Sequence, residues 1–350
     1  MRIEATTWVR PDTHSLNMNL LISETRFFPI NCLTLPKNNI QKMPAKKKPE
    51  EKSRLHPRNR NRERYDLKAL AKAVPELQKY VKPNKYGEKS VDFADPKAVK
   101  LLNKALLSHY YGIKNWDFPD NNLCPPIPGR ADYLHYIADL LSENNSGKFP
   151  TGNKIKGLDI GVGANCIYPI LGVVEYGWQF IGSDIDPKSI ESAQKIVEAN
   201  PSLKGKIECR LQTNPKSFFA GILSKDEKID FTLCNPPFHA SAKEAQAGTM
   251  RKVQNLSGKR TISKVPLNFA GVNNELIYEG GELNFIQNMI LESKDFAKNC
   301  LWFTTLVSKS ENLKRINQTL KEVEAVEVKT IEMGTGNKIS RIVAWSFVKC

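Results

Sequence analysis

Four consecutive residues, Asn235-Pro236-Pro237-Phe238, set the chemistry open to this 350-residue chain. They follow an apolar run, Ile229-Asp230-Phe231-Thr232-Leu233-Cys234, that reads as a short buried strand. Neither proline has an N–H to give to a ladder and each fixes its own φ, so the strand stops at Asn235 and passes into a stiff loop. Such a loop holds a carboxamide, two backbone carbonyls and an aromatic ring in one arrangement. Methylation of an exocyclic amine needs that arrangement. The nitrogen is conjugated with its ring and is a poor nucleophile; two acceptors on its hydrogens pull the lone pair out of the ring plane, and an aromatic face pins the flat base. By themselves the four residues serve equally as an Asn-Pro turn closing a strand, and the rest of the chain decides between the two.

A second constellation lies upstream. Asp159-x-Gly161-x-Gly163 follows a strand and opens a helix, and its glycines let the backbone turn tightly and approach a ligand closely. Asp184 closes the next strand, 23 residues after Gly161. A carboxylate there accepts from two ribose hydroxyls, so the pair implies a ribose-bearing cofactor, either a dinucleotide or S-adenosyl-L-methionine. The full dinucleotide fingerprint wants Gly or Ala at position 166, which is Cys166, and the Pro-Pro loop has no role in hydride transfer. The plain alternative for Asp159 and Asp184 is a pair of turn-forming carboxylates at strand ends.

The elements that position these residues follow from apolar spacing. From Lys156 onward strands alternate with helices, the signature of a parallel sheet. Strands are expected at 157–160, 178–183, 207–211, 229–234, 299–307, 325–330 and 342–348. Helices are expected from the glycine loop to Tyr176 and at 187–198, 283–296 and 312–323, with a turn at 333–337 and a long loop at 239–280. Before the sheet, helical spacing runs over 65–80, 96–111 and 131–141, and Ser142 to Asn153 reads as a linker.

Composition narrows the partner. The chain carries a formal net charge of +15 with 40% hydrophobic residues. Between Lys42 and Arg64 there are 10 Lys and Arg against 3 Glu, a concentration that suggests a polyanion. Lys46 to Arg64 is low in complexity and is expected to be disordered when unbound, either an RNA-contacting arm or a solubilising tail. The first 42 residues carry no fold signal and read as an upstream extension of the frame. No run approaches a membrane span. The 7 cysteines lack paired spacing, so neither a metal site nor a disulfide framework is expected and a cytoplasmic setting is the default.

Taken together, these motifs resemble the class I S-adenosylmethionine-dependent amino-methyltransferases. Leu55-His56-Pro57-Arg58-Asn59, Tyr86-Gly87, Val91-Asp92-Phe93-Ala94, Pro125 to Tyr133, Asp159 to Pro169 and Cys234 to His239 are similar to the 23S ribosomal RNA adenine-N6 methyltransferase F family. The likeness covers residues 53 to 350. The glycine stretch, the catalytic loop and Ala344-Trp345-Ser346-Phe347 also resemble the eukaryotic enzyme that methylates U6 small nuclear RNA.

The resemblance implies a Rossmann-like α/β fold, a seven-stranded, mostly parallel sheet with a small helical N-terminal subdomain. It implies a helical N-terminal RNA-binding subdomain over 53–150 and the methyltransferase domain over 151–350, which leaves 1–52 as a disordered extension and basic tail. Asn235, Pro236, Pro237 and Phe238 would be catalytic, with Phe238 stacking on a turned-out base. Arg130, Asp159, Gly161, Gly163, Asn165 and Asp184 would bind S-adenosyl-L-methionine. Arg58, Arg60, Lys338 and Arg341 would contact RNA. Glu279-Gly280-Gly281-Glu282 resembles a family segment and also reads as a capped turn, and His239 reads as structural. The implied partner is 23S ribosomal RNA or a partly assembled large subunit, met by a monomer. Asn-Pro-Pro-aromatic loops also serve DNA adenine and protein glutamine methylation, and a non-catalytic RNA-binding protein is a further alternative.

Overall fold

From Lys156 on, short apolar strands alternate with helices and build one seven-stranded sheet in the order β5-β4-β3-β6-β7-β9-β8. The computed structural model describes residues 54–84, 86–241, 243–244, 273–335 and 338–349. The expected extension over 1–42, the basic residues up to 53 and most of the 239–280 loop lie outside them.

The helical part comes first: α1 (Leu67–Ala73), a 3-10 turn (Pro75–Tyr80), β1 (Val81–Pro83), β2 (Lys89–Val91), α2 (Pro96–Tyr111) and α3 (Ile127–Glu143). The expected helix over 65–80 breaks because Pro75 pushes Val74 into extended backbone, φ −134° and ψ 93°. β1 and β2 pair antiparallel over three residues, too short for any period to show in the sequence. α2 begins where Asp95 accepts from the Lys97 and Ala98 amides, with Pro96 at its first position. α3 starts at Ile127, earlier than expected, because Pro128 is tolerated in a helix's first turn.

The alternating part runs β3 (Lys156–Ile160), α4 (Ile167–Tyr176), β4 (Gln179–Asp184), α5 (Pro187–Ala199), β5 (Ile207–Leu211) and β6 (Ile229–Cys234). It continues with α6 (Asn273–Leu276), α7 (Gly281–Ser293), β7 (Cys300–Val307), α8 (Leu313–Glu322), β8 (Glu327–Thr335) and β9 (Lys338–Ser346). β5-β4-β3-β6-β7 are parallel, and β9 is antiparallel to both β7 and β8. The last two strands form a hairpin through most of the expected 333–337 turn, pairing up to Thr335↔Lys338.

Side chains on the two sheet faces feed two cores. Phe180, Phe231 and Leu233 pack with α2, α3, α4 and α5, whereas Leu158, Ile160 and Ile181 pack with α7 and α8. The first core also contains Leu70, Leu106 and Leu134, so the helical part and the sheet share one apolar interior.

The expectation that Lys46 to Arg64 is a disordered arm fails for 54–64. Leu55, His56, Asn59 and Asn61 are buried there. The His56 amide donates to Asp132 Oδ1 at 3.0 Å, Asn59 Nδ2 to the Pro128 carbonyl at 2.8 Å, and Asn61 Nδ2 to Tyr111 Oη at 3.1 Å. Charge averaged over the segment hides the two Asn side chains and the His56 backbone amide that find buried partners.

Candidate active site

The candidate residues gather at the carboxyl ends of the parallel strands. Strand order reverses between β3 and β6, the place where open α/β sheets leave a crevice. Register fixes the alignment: Ile160 pairs with Ser183 on one side and with Cys234 on the other. The residues that follow are Asp184, Gly161 and Asn235, one at the end of each of three adjacent strands. Asp184 and Asn235, 51 residues apart in the chain, thus follow the two strands on either side of the one that leads into Gly161.

Gly161 and Gly163 both take positive φ, +76° and +64°, which a side chain would strain. A Cβ at Gly161 would meet nothing within 4 Å, so the backbone there faces open space. The Gly163 amide donates to Asp184 Oδ2 at 2.9 Å, and the Asp186 amide to Asp184 Oδ1 at 2.9 Å. Burial pushes the Asp184 carboxyl up to about 6 against these two amide bonds, with the charges of Asp186 and Glu275 adding to the rise. Asn165 caps the loop: its Oδ1 accepts from Ile167 N at 3.1 Å, its Nδ2 donates to the Leu123 carbonyl at 3.3 Å, and its own carbonyl accepts from Trp116 Nε1 at 2.8 Å.

Asp159 is fully buried, and neither carboxylate oxygen has a hydrogen-bond partner. Desolvation raises its pKa well above the usual carboxylate range; the Arg130 charge opposes that, and Asp184 and Cys209 reinforce it. Arg130 extends from the first turn of α3, donates from Nη1 to Tyr168 Oη at 2.6 Å, and keeps a buried Nε with no partner. A buried carboxylate and a guanidinium nitrogen left unpaired at one site fit a zwitterion, an ammonium for Asp159 and a carboxylate for Arg130. The amino-acid end of S-adenosyl-L-methionine has that chemistry, and the glycine loop beside Asp184 is open at Gly161.

Beyond β6, Pro236 and Pro237 are buried, and Asn235 and Phe238 are half-buried. The chain is then pinned: the His239 amide donates to the Leu276 carbonyl at 3.0 Å, and the Tyr278 amide to the His239 carbonyl at 3.0 Å. Glu282, buried at the start of α7, accepts from the Ser308 amide at 2.7 Å, the Lys309 amide at 3.2 Å and Asn312 Nδ2 at 2.7 Å, which organises the loop after β7.

Glu275 was not legible as a site residue. Its Oε1 accepts from Asn122 Nδ2 and its Oε2 from the Leu123 amide, both at 3.1 Å, and its carboxylate lies beside Gly163. It lies near the end of the 239–280 stretch, where no periodicity ties it to the glycines.

The expected RNA contacts lie elsewhere. Arg58 spends its guanidinium inside the chain, on Tyr176 Oη at 3.2 Å, the His135 carbonyl at 2.7 Å and Asp139 at 2.8 Å, with Phe149 beneath it. Arg60 pairs with Glu175 at 2.9 Å and donates to the Tyr110 carbonyl at 2.6 Å. Both meet the last turn of α4, about 15 Å from the glycine loop that precedes its first. Arg341 sits opposite Glu332 across the β8–β9 hairpin, with 3.7 Å between Nε and Oε1. Lys338 opens β9, and its side chain lies outside the described residues. Among the described residues no three His, Cys, Asp or Glu gather to hold a metal, the cysteines form no disulfide, and no helix is long and apolar enough to cross a membrane.

Sheet order, glycine loop and Asn-Pro-Pro-Phe loop define a class I S-adenosylmethionine-dependent methyltransferase. A family model described as RNA methyltransferase matches residues 49–349. Ribosomal RNA large subunit methyltransferase F of Flavobacterium johnsoniae is 57% identical over 299 residues, covering 85% of this chain and 95% of that one. The protein of the same name from Serratia proteamaculans is 56% identical, covering 85% and 89%. Among solved structures, the catalytic domain of human METTL16 in complex with a MAT2A 3′UTR hairpin superposes with a TM-score of 0.71 at 31% identity, covering 84% of this chain and 96% of that one. The N-terminal domain of human METTL16 in complex with SAH gives 0.67 at 28% identity, covering 84% and 99%. The chain belongs to the ribosomal RNA large subunit methyltransferase F family, and it is an S-adenosylmethionine-dependent RNA methyltransferase.

Proposed function

We propose that the chain methylates N6 of a specific adenine in 23S ribosomal RNA. The arrival of Asp184, Gly161 and Asn235 at the ends of three adjacent strands, aligned through Ile160, supports this reading, in which they serve as ribose acceptor, bare backbone and amine acceptor. The bound cofactor supplies an activated methyl on a sulfonium, so the protein contributes position and electrostatics. Asp184 takes the ribose hydroxyls, Asp159 and Arg130 take the amino-acid end, and Gly161, Gly163 and Asn165 shape the loop against it. The Asn235 carboxamide oxygen and the Pro236 carbonyl accept from the target amine, Pro237 keeps that loop rigid, and Phe238 stacks on the base.

The net charge of +15 supports a polyanionic substrate, and the relatives' name supports ribosomal RNA. Residues 53–150 then form the RNA-facing part, with Lys338 and Arg341 as phosphate contacts; Arg58 and Arg60 stabilise that part from within. The protein works as a monomer in the cytoplasm, on 23S ribosomal RNA or a partly assembled large subunit.

A second reading, another structured RNA as substrate, is favoured by the human neighbour solved with an RNA hairpin. Methyl incorporation from labelled S-adenosyl-L-methionine into RNA, DNA and protein of an extract from cells lacking the chain separates these readings. Label confined to 23S ribosomal RNA is the expected result. Label in shorter RNA, DNA or protein points to the other substrates.

A further inference from the structure

The Asn235 loop hangs from the end of β6, and the register between β6 and β7 runs only through Ile229↔Cys300 and Phe231↔Trp302. Past that pair, side chains replace the ladder. The Thr304 amide donates to Thr232 Oγ1 at 2.8 Å, and Thr304 Oγ1 donates to the Thr232 carbonyl at 2.5 Å. Tyr133 Oη lies 2.8 Å from Thr304 Oγ1 and 3.4 Å from the Cys234 amide nitrogen. All four residues are at most 1% exposed.

The donors are fixed by elimination. A carbonyl can only accept, so Thr304 spends its one hydroxyl proton on Thr232, and the Tyr133 hydroxyl must donate to Thr304. Tyr133 Oη is then left as acceptor for the Cys234 N–H. Polarity runs one way, from the Cys234 amide through Tyr133 and Thr304 to the Thr232 carbonyl, and it closes around the last three residues before Asn235. Tyr133 also stands one helical turn after Arg130 on α3, and its ring meets Tyr168, the partner of Arg130, edge-on at 5.4 Å. One helix thus touches both the cofactor end of the site and the root of the catalytic loop.

We infer that Tyr133 is a positioning residue for methyl transfer: its hydroxyl, oriented by Thr304, sets the end of β6 and thereby the Asn235 carboxamide. It touches neither substrate nor cofactor. This rests on the reading of Asn235 as the amine acceptor. A geometric error in that acceptor lowers the chemical step and leaves cofactor binding alone, since misplacement of reacting groups acts on the barrier.

The experiment compares Tyr133→Phe, Thr304→Val and Thr304→Ser with the unaltered chain, using 23S ribosomal RNA from cells lacking the protein. Tyr133→Phe and Thr304→Val are expected to lose about tenfold in kcat, which is about 1.4 kcal/mol. Cofactor Kd by calorimetry should stay within about twofold, and the double variant should lose no more than either single one. Thr304→Ser keeps the hydroxyl and should keep kcat. Exchange of the Cys234, Asn235 and Phe238 amides, the only ones in the loop since Pro236 and Pro237 have none, should quicken in Tyr133→Phe, a readout that needs no substrate. Unchanged exchange, unchanged kcat, or equal losses in Thr304→Val and Thr304→Ser would overturn the inference, the last assigning Thr304 to packing. If Tyr133→Phe does not fold, the Val–Ser contrast decides. An inactive unaltered chain counts against the substrate reading, and exchange then still judges Tyr133.

Discussion

The Gly163 amide and the Asp184 carboxylate, from two different strand ends, meet at 2.9 Å. That bond ties the glycine loop to the acidic residue and leaves Asp184 with acceptor capacity for further donors. Because burial holds Asp184 up at about 6, on the proposed reading a proton competes with the ribose hydroxyls below that pH. Affinity for S-adenosyl-L-methionine should therefore fall as pH drops through 6, by up to about tenfold per pH unit for one proton. Calorimetry from pH 5.0 to 7.5 checks this. Asp184→Asn should bind weakly at every pH and lose the dependence near 6; an unaltered slope in that variant would assign it to another group.

On the proposed reading, Asp159 trades stability for cofactor binding. Its carboxyl sits well above the usual range inside the fold, so the native state holds a proton that the unfolded chain releases near pH 4. The cost to stability therefore grows as pH rises from about 4 toward the folded value. Asp159→Asn should melt higher than the unaltered chain at pH 8, with the gap closing toward pH 4. Its cofactor affinity should fall by about 10- to 150-fold, the loss of one charged hydrogen bond. Scanning calorimetry against pH, paired with a binding isotherm, tests both halves.

His135 works in the opposite sense. Burial, with help from the charges of His56 and Arg58, pulls its pKa down to about 3. The unfolded chain takes up a proton near 6.5 that the native state refuses, so stability is full above that value and drains as pH falls toward 3. Urea midpoints at pH 7 and pH 5 should differ less in His135→Gln than in the unaltered chain. Equal differences would mean that the imidazole opens to solvent before global unfolding.

Arg58 separates folding from RNA contact. Its guanidinium joins α3, α4 and the docked segment 54–64. Arg58→Ala should cost about 1–3 kcal/mol of stability by stranding its partners. The salt slope of RNA binding should stay unchanged, since one phosphate contact fewer would lower it by about 1. A shallower slope without loss of melting temperature would return Arg58 to the RNA surface.

Strand ends carried the legible part of the site. Asp184, Gly161 and Asn235 each close or follow a short apolar run, and turn chemistry marks such places within a few residues. Pairing partners are not local, so the alignment through Ile160 and the gap that Tyr133 fills were invisible in sequence. Pro75 broke an expected helix because periodicity over 65–80 carries no account of the residue before a proline. The internal partners of Arg58 and Arg60 were hidden for another reason: charge density says how basic a segment is, and only packing says which cations are already paired. Glu275 had no signal at all, since its neighbours Asn122 and Leu123 are about 150 residues away in the chain.

The central claim is that Asn235 presents an acceptor to an adenine amine of 23S ribosomal RNA. Mapping N6-methyladenine along 23S ribosomal RNA tests it most directly, in cells with the chain, without it, and with Asn235→Ala at matched protein level and cofactor affinity. The account predicts one modified adenine that disappears without the chain and stays absent with Asn235→Ala. A map identical in all three strains, or one restored by Asn235→Ala, would contradict it.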